Sequence, residues 1–441
     1  MIIIQAFLLI RVSFTMTKTI LLLLLLIFVF QSCSFIVNNF KDEDKLENTI
    51  KPIYPTDKTT CDIIQKKIIV SENETSQVLF TEFIKILSPN MNLSFIDQVI
   101  LWSFIQLNLR PDLSSPTAKL QTLIKIAGKD YYFNSYSTNN DGYPYLYLLD
   151  QIIVKFKNKK KLIDLAQLFD KYLPNSIYVS QALESFLLEN QKELFKNPNL
   201  KKFYFRGNET LKKGERLPKI KMKELVKNYL SLQKKSNYQL GESLFNFEIN
   251  KNTVSQCNFD ISLYENSIFL INPEKIKSNI WGLKQDDMVF MATSSQKLES
   301  IKSVNGTFLI SGNSNTRSSS VCMINNKDEK KQTTWLMSSE SRDPGQHLFH
   351  LKQYGIFNLK SINELDNIMK FSRHQFLKDP VRLILESHRS SENQLKELLK
   401  LNIPIYNAKS LGKIWAYYEN NQSQSFLIDE RSQGHLECNS L

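Results

Sequence analysis

All five histidines of the 441-residue chain lie in its last hundred residues, at His347, His350, His374, His388 and His435. His347 and His350 stand three apart on an expected helix, so their imidazoles share one face. Arg342, Asp343, Arg373, Asp379, Arg382 and Glu386 follow nearby in sequence. Two imidazoles and a carboxylate are a ligand set for a transition metal. A charged helix surface is the heavier reading, because there is no His-Glu-x-x-His and no second spaced pair to close a metal shell. Arg342, Asp343, His347, His350, His374 and His388 therefore form a weak candidate polar site, with no metal or cofactor assigned to it. There is no Gly-Lys-Ser/Thr loop, Gly-x-Ser-x-Gly elbow or dinucleotide fingerprint, and no catalytic residue is assigned.

A second stretch invites a chemical reading. Asn305-Gly306 leads through the apolar run Thr307–Ser311 into Gly312-Asn313-Ser314-Asn315, with Arg317 and Ser318 next. It resembles the distal part of the phospholipase D superfamily motif, in which an Asp-Gly turn runs through a strand to Gly-Ser-x-Asn. On that resemblance Asn305 takes the Asp position, while Gly312 and Asn315 match. Leu298 and Ser300 stand where the family has its His nucleophile and Lys. A phosphohistidine route needs an imidazole, so the resemblance implies a degenerate domain, from Gly241 to the C-terminus, that binds more than it hydrolyses.

The elements that must position these residues divide the chain. Apolar residues recur at helical spacing from about Leu79. Ser115, Pro116, Leu120, Leu123, Ile124 and Gly128 read as a capped helix, and further helices are expected in Leu146–Phe156, Lys161–Leu173, Ser180–Phe195 and Lys219–Lys235. Trp102, Phe104 and Tyr145 read as core. Lys202–Arg206 reads as a strand. From Gly241 strand-like runs dominate, among them Leu244–Ile249, Met288–Thr293, Val321–Ile324 and Thr333–Met337. Helices capped by Asp343 and Ser361 follow. Val381–Glu386, Ser391–Leu401 and Ile403–Tyr406 make a strand–helix–strand crossover. The expected fold class is α+β in several regions: a helical N-terminal region, then an α/β or α+β region with a mixed sheet. The expected segments are a signal peptide at 1–32, a lipid attachment and polar tether at 33–78, a helical region at 79–235 and an α/β or α+β region at 236–441.

The N-terminus carries the clearest address. From Met16 a short cationic start precedes the apolar run Ile20–Phe30 and then Gln31-Ser32-Cys33-Ser34, the layout of a secretory signal. Met1 and Met16 both remain open as the start. Eleven apolar residues are about half of the ~20 that span a bilayer, so a cleaved signal leads over an uncleaved anchor. Ser32-Cys33 resembles the lipobox of bacterial lipoproteins, which implies lipid on Cys33 and, with Ser34 next, sorting to the outer membrane. In an oxidising compartment Cys61, Cys257, Cys322 and Cys438 are candidate disulfide cysteines.

Charge narrows the partners. Lys and Arg number 56 against 44 Asp and Glu, net +12, and Lys155–Lys235 holds twenty basic and eight acidic residues, the whole excess. That segment is a candidate contact for an anionic envelope surface, with solvated lysine faces as the simpler account. Nucleic acid is not expected, and no protein partner follows. The leading expectation is an exported, membrane-anchored lipoprotein facing the periplasm, with a binding or structural role and no catalysis. The alternative is an exported hydrolase, phosphodiesterase-like or metal-dependent, using polar residues of 298–388.

Overall fold

A computed structural model of the chain describes residues 66–89, 91–137, 142–233, 238–250, 253–260, 264, 277–296, 319–326, 332–341, 343–377, 381–432 and 434–439. Two antiparallel sheets form its centre. The first contains β1 (Lys67–Ser71), β2 (Lys119–Ile126), β3 (Lys129–Ser137), β4 (Tyr238–Gly241), β7 (Ser278–Gln285), β8 (Met288–Ser295) and β16 (His435–Asn439), in the order β16-β1-β7-β8-β2-β3-β4. The second contains β5 (Phe245–Asn250), β6 (Thr253–Cys257), β9 (Ser319–Asn326), β10 (Gln332–Ser339), β14 (Lys413–Glu419) and β15 (Gln424–Leu427), in the order β15-β14-β10-β9-β6-β5. The first sheet takes strands from both sides of position 235, and β1 lies inside the stretch 33–78 expected as a tether.

Alternation along the strands makes the layers, because successive side chains leave a strand on opposite faces. Ile68, Val70, Leu123, Ile280 and Met291 of the first sheet meet Val321, Met323, Trp335, Met337, Trp415, Tyr417 and Phe426 of the second in one dry interface. The opposite faces are covered by helices. Ile69, Leu120, Ile124, Trp281, Leu283 and Phe290 pack with α1 (Glu74–Leu87), α2 (Phe95–Leu109), α3 (Pro144–Lys155), α4 (Leu162–Tyr172) and α5 (Met222–Leu232). Cys322, Ile324, Leu336, Ile414 and Tyr418 pack with α6 (Pro344–Gln353) and α7 (Ile362–Lys370). The result is four layers: helix, sheet, sheet, helix. Full burial of each large apolar side chain contributes about 1.5–3 kcal/mol. The largest of these cores lies between the first sheet and its helices, and the sheet-to-sheet seam, with Trp335 and Trp415, joins the two halves.

The α+β class stands. The helix expected from Ser115 to Gly128 does not form; that stretch is β2, joined to β3 by Ala127 and Gly128 at positive φ. Leu120 and Ile124 face the helices while Leu123 faces the other sheet. Their spacing fits a period of two as well as one of 3.6, and the positive-φ turn decides it. Lys202–Tyr204 belongs to a helix, leaving only Phe205–Arg206 as strand. The expected crossover is present as a separate three-stranded sheet, β11 (His374–Leu377), β12 (Arg382–Leu385) and β13 (Ile405–Asn407). In it β12 and β13 run parallel across α8 (Glu392–Leu399). Cys257 and Cys322, paired across β6 and β9, form a disulfide with Cα atoms 4.1 Å apart. Cys438 is disulfide-bonded too. Cys33 and Cys61 lie outside the described residues. Among those residues, no helix is long and apolar enough to cross a membrane.

Candidate active site at the head of a central strand

One polar cluster gathers where both sheets end. Ser278 opens β7, and by the alternation of the strand it shares a face with Ile280 and Gly282, toward the second sheet. Gly282 lies so close to that sheet that a Cβ there would stand 3.0 Å from the Phe426 ring. Ser278 is fully buried, and its Oγ has no hydrogen-bond partner. Its backbone is fixed instead: the amide N donates to Glu340 Oε1 at 3.2 Å, and the carbonyl O accepts from Lys413 Nζ at 2.9 Å. Lys413 opens β14 and also meets Glu340 at 2.9 Å and Glu72 at 2.5 Å. Ser338 and Ser339, at the end of β10, likewise bury hydroxyls without partners.

The charges do not balance. Lys413 faces two carboxylates, while Arg110 beside them is matched by Asp112 at 2.8 Å. Burial pushes the Glu72 carboxyl up to about 7, against the pull of Lys413 and with a further push from Glu340. Burial alone would lower Lys413, yet Glu340 and Glu72 outweigh it and hold the ammonium above its ordinary range. Glu340 carries this role from a left-handed backbone position, φ 56°, which is uncommon for a side chain of its size. On the other face of β7, Asn279 Nδ2 donates to Gln106 Oε1 at 3.0 Å and to Ser114 Oγ at 3.2 Å, so α2 and the turn after it lock the strand head in register.

Chemically this is a buried hydroxyl that nothing else occupies, backed by a cation and two anions. Thr122, Ser278, Ser320, Ser338 and Ser339 all bury hydroxyls without partners, and Ser278 is the one whose backbone Glu340 and Lys413 both hold; perturbed carboxylates gather at functional sites. Sequence reasoning missed Ser278. The signal available was the turn Asp286-Asp287: a strand at Met288–Thr293 after a two-residue turn calls for a hairpin partner immediately before it.

The histidines form a different place. His347 and His350, on α6, are buried where a charged helix surface was the heavier expectation, and His350 stacks on His374 with ring centroids 3.9 Å apart. Asp343 caps α6, accepting from Gly345 N and Gln346 N, and accepts from Tyr264 OH at 2.7 Å. His388 lies in a short helical turn after β12. Arg342, Asp379 and the Asn305–Asn315 stretch lie outside the described residues. No group of three His, Cys, Asp or Glu among the described residues could hold a metal ion.

No protein-family model and no curated protein matches the sequence. Among solved structures the chain is similar to LmbA2991HD, with TM-score 0.61 and 10% identity over 87% of this chain and 100% of that one. It is also similar to cephalosporin acylase from Bacillus halodurans, with TM-score 0.55 and 8% identity over 89% of this chain and 99% of that one. Identity this low shows the fold alone, one shared along nearly the whole length of both structures. The expectation of a binding or structural protein without catalysis is corrected by this likeness, since a structure with the same fold is an acylase. The likeness is to an acylase, where the Asn305–Asn315 stretch had suggested phospholipase D.

Proposed function

We propose that this chain is an exported hydrolase of amide-type acyl bonds, with Ser278 as its nucleophile. The observation that carries the reading is the buried, unpartnered Ser278 Oγ at the head of a central strand, its backbone clamped by Glu340 and Lys413. The fold shared with a cephalosporin acylase supports an acyl substrate.

A serine hydroxyl needs a base to become nucleophilic. No imidazole among the described residues bonds to it, and the nearest candidate is its own nitrogen, which as an amide has no basic lone pair. The chain must therefore be cut between Lys277 and Ser278. Ser278 Oγ attacks the Lys277 carbonyl carbon, the C–N bond breaks as nitrogen takes the hydroxyl proton, and water hydrolyses the resulting ester. A Lys277 carboxylate and a free Ser278 amine remain. That amine then serves as base for Oγ on an incoming acyl substrate, the arrangement of N-terminal nucleophiles. Glu340, already 3.2 Å from this nitrogen, holds the protonated amine.

Cys257 and Cys322 lie on opposite sides of the cut, so their disulfide ties the two pieces together. Purified protein should therefore run as one species without reductant and as two with it, the second beginning at Ser278. Ser278→Ala should stay whole under both conditions and lose hydrolysis of an acyl-anilide. An uncut wild-type chain that hydrolyses nothing, or a Ser278→Ala chain that still does, overturns the proposal.

A disulfide fits the exported setting. Within it we place a lipid anchor at Cys33, outer-membrane sorting, and contact of Lys155–Lys235 with anionic surfaces. Cys33→Ala should release the chain from membranes, and unchanged membrane association would remove the anchor from the proposal.

A further inference from the structure

A cavity of about 510 Å³ opens beside α6, separate from Ser278 and its charged partners. Rings make much of its wall, Phe349, Tyr354, Phe376 and the stacked pair His350 and His374, with Gln346, Gln394 and Leu398 between them. Such a volume and an apolar, ring-lined wall are what small-molecule sites offer. Two observations say which imidazole atom a ligand there could reach. Both imidazoles are buried, and each Nδ1 is sealed from solvent with no hydrogen-bond partner. Because both rings line the cavity, the nitrogen left to face it is Nε2.

We propose that this cavity is a second binding site, taking an uncharged planar aromatic molecule that carries a hydroxyl group. The ring of the ligand continues the stack of aromatic side chains, which favours offset or edge contacts at ordinary ring spacing. A hydroxyl both donates and accepts, so it pairs with Nε2 whichever tautomer the imidazole holds. Charged ligands fit poorly. Burial lowers His350 and His374 below their ordinary range, leaving no cation for an anion. The one charged side chain in the wall, Glu397, is paired with Lys400 at 2.6 Å. A metal fits no better, since rings stacked at an interplanar angle of 21° direct their lone pairs side by side instead of toward one point. The site does not depend on the Ser278 reading, and it stands or falls separately.

The test is a calorimetric titration of the full chain with 4-methylphenol, with toluene as the partner lacking the hydroxyl. Saturable binding of 4-methylphenol is expected, with toluene at least about tenfold weaker, the equivalent of one net hydrogen bond. Leu401, half exposed at the rim, takes a larger side chain without entering the core. Leu401→Trp should therefore block binding, while His374→Phe should reduce it about tenfold if its melting curve shows a folded chain. Failure of 4-methylphenol to saturate the wild type overturns the proposal. So does equal binding of toluene, or equal binding by Leu401→Trp.

Discussion

Two buried charge clusters lie on either side of Gly412, and they are built on opposite principles. In the first, Arg431 forks onto Glu386 at 2.6–3.0 Å and reaches Asp429 at 3.2 Å, while Arg373 meets Asp429 at 2.5 Å. Two cations face two anions. Most of the remaining capacity goes to backbone, with Arg373 Nε left over: Met369 O and Phe371 O accept from Arg431, and Leu411 N and Ile414 N donate to the carboxylates. In the second cluster Lys413 faces both Glu72 and Glu340, and three serine hydroxyls nearby have no partner. A closed network fixes geometry, whereas an open one holds capacity in reserve for a ligand or a reaction. The two are coupled. Arg373 donates to Leu411 O and Gly412 O, so the closed cluster sets the segment that delivers Lys413 to Ser278. Gly412 makes the step possible: its φ is +66°, and a Cβ there would stand 2.7 Å from Ser339 O.

The largest expected effect belongs to the open cluster. Ser278→Ala should abolish hydrolysis, a loss of about a thousandfold or more if the hydroxyl is the nucleophile, yet move the urea midpoint little, since no bond to Oγ is lost. A large loss of stability instead would make Ser278 a packing residue and erase the contrast. Next comes the closed cluster. Arg431→Met leaves Glu386 and Asp429 short of a cation, and breaking a buried pair in this way costs about 3–5 kcal/mol. Urea unfolding measures it, and a change below 1 kcal/mol would show that the network is wet or dispensable.

The closed cluster also sets a pH window through the histidines packed on it. Burial lowers His374 to about 4. His347 is lowered first by burial and then by the charge of Arg373. In the unfolded chain these groups titrate near 6.5, so between that value and about 4 the unfolded state binds more protons. Stability is thus complete above pH 6.5 and falls as pH drops through that range, by about 3 kcal/mol for His374 alone. Unfolding free energies from urea at pH 7.5 and 5.0 should differ by about 2 kcal/mol for His374, since pH 5.0 stops short of its folded value, and His374→Phe should reduce the difference. A flat profile would mean that the imidazoles reach water.

The two clusters differed in how readily the sequence disclosed them. Arg373, Glu386 and the histidines stand close together along the chain, and the cap at Asp343 and the crossover at Val381–Tyr406 carry recognisable local signals. The open cluster joins Glu72, Ser278, Glu340 and Lys413 from four distant elements, and only sheet pairing brings them together. β7 itself was hard to see. Its inner face reads Ser278, Ile280, Gly282, Lys284, with a glycine where the sheets approach most closely and no β-branched run. The Ser115–Gly128 stretch went wrong for a related reason, since Leu120, Leu123 and Ile124 satisfy two periods at once.

The smallest expected effect tests whether the open cluster tolerates loss of charge that the closed one does not. Glu340 sits at φ 56°, a backbone state that costs a non-glycine residue about 1–2 kcal/mol and that glycine adopts freely. Glu340→Gly removes that strain and leaves Lys413 with Glu72 alone, one cation to one anion, at 2.5 Å. It also removes a like charge that pushes Glu72 up, so that carboxyl should titrate lower. Against these gains stand the lost ion pair with Lys413 and the lost acceptor for Ser278 N, together about 1–3 kcal/mol. The net change in stability should stay within about 1 kcal/mol, well below the cost of Arg431→Met. Hydrolysis should nonetheless fall, because the anion beside the Ser278 nitrogen is gone. A carboxylate that can be deleted at little cost to folding but at a clear cost to turnover is retained for function. If Glu340→Gly instead unfolds the chain as readily as Arg431→Met, both clusters are scaffold and the distinction between them is lost.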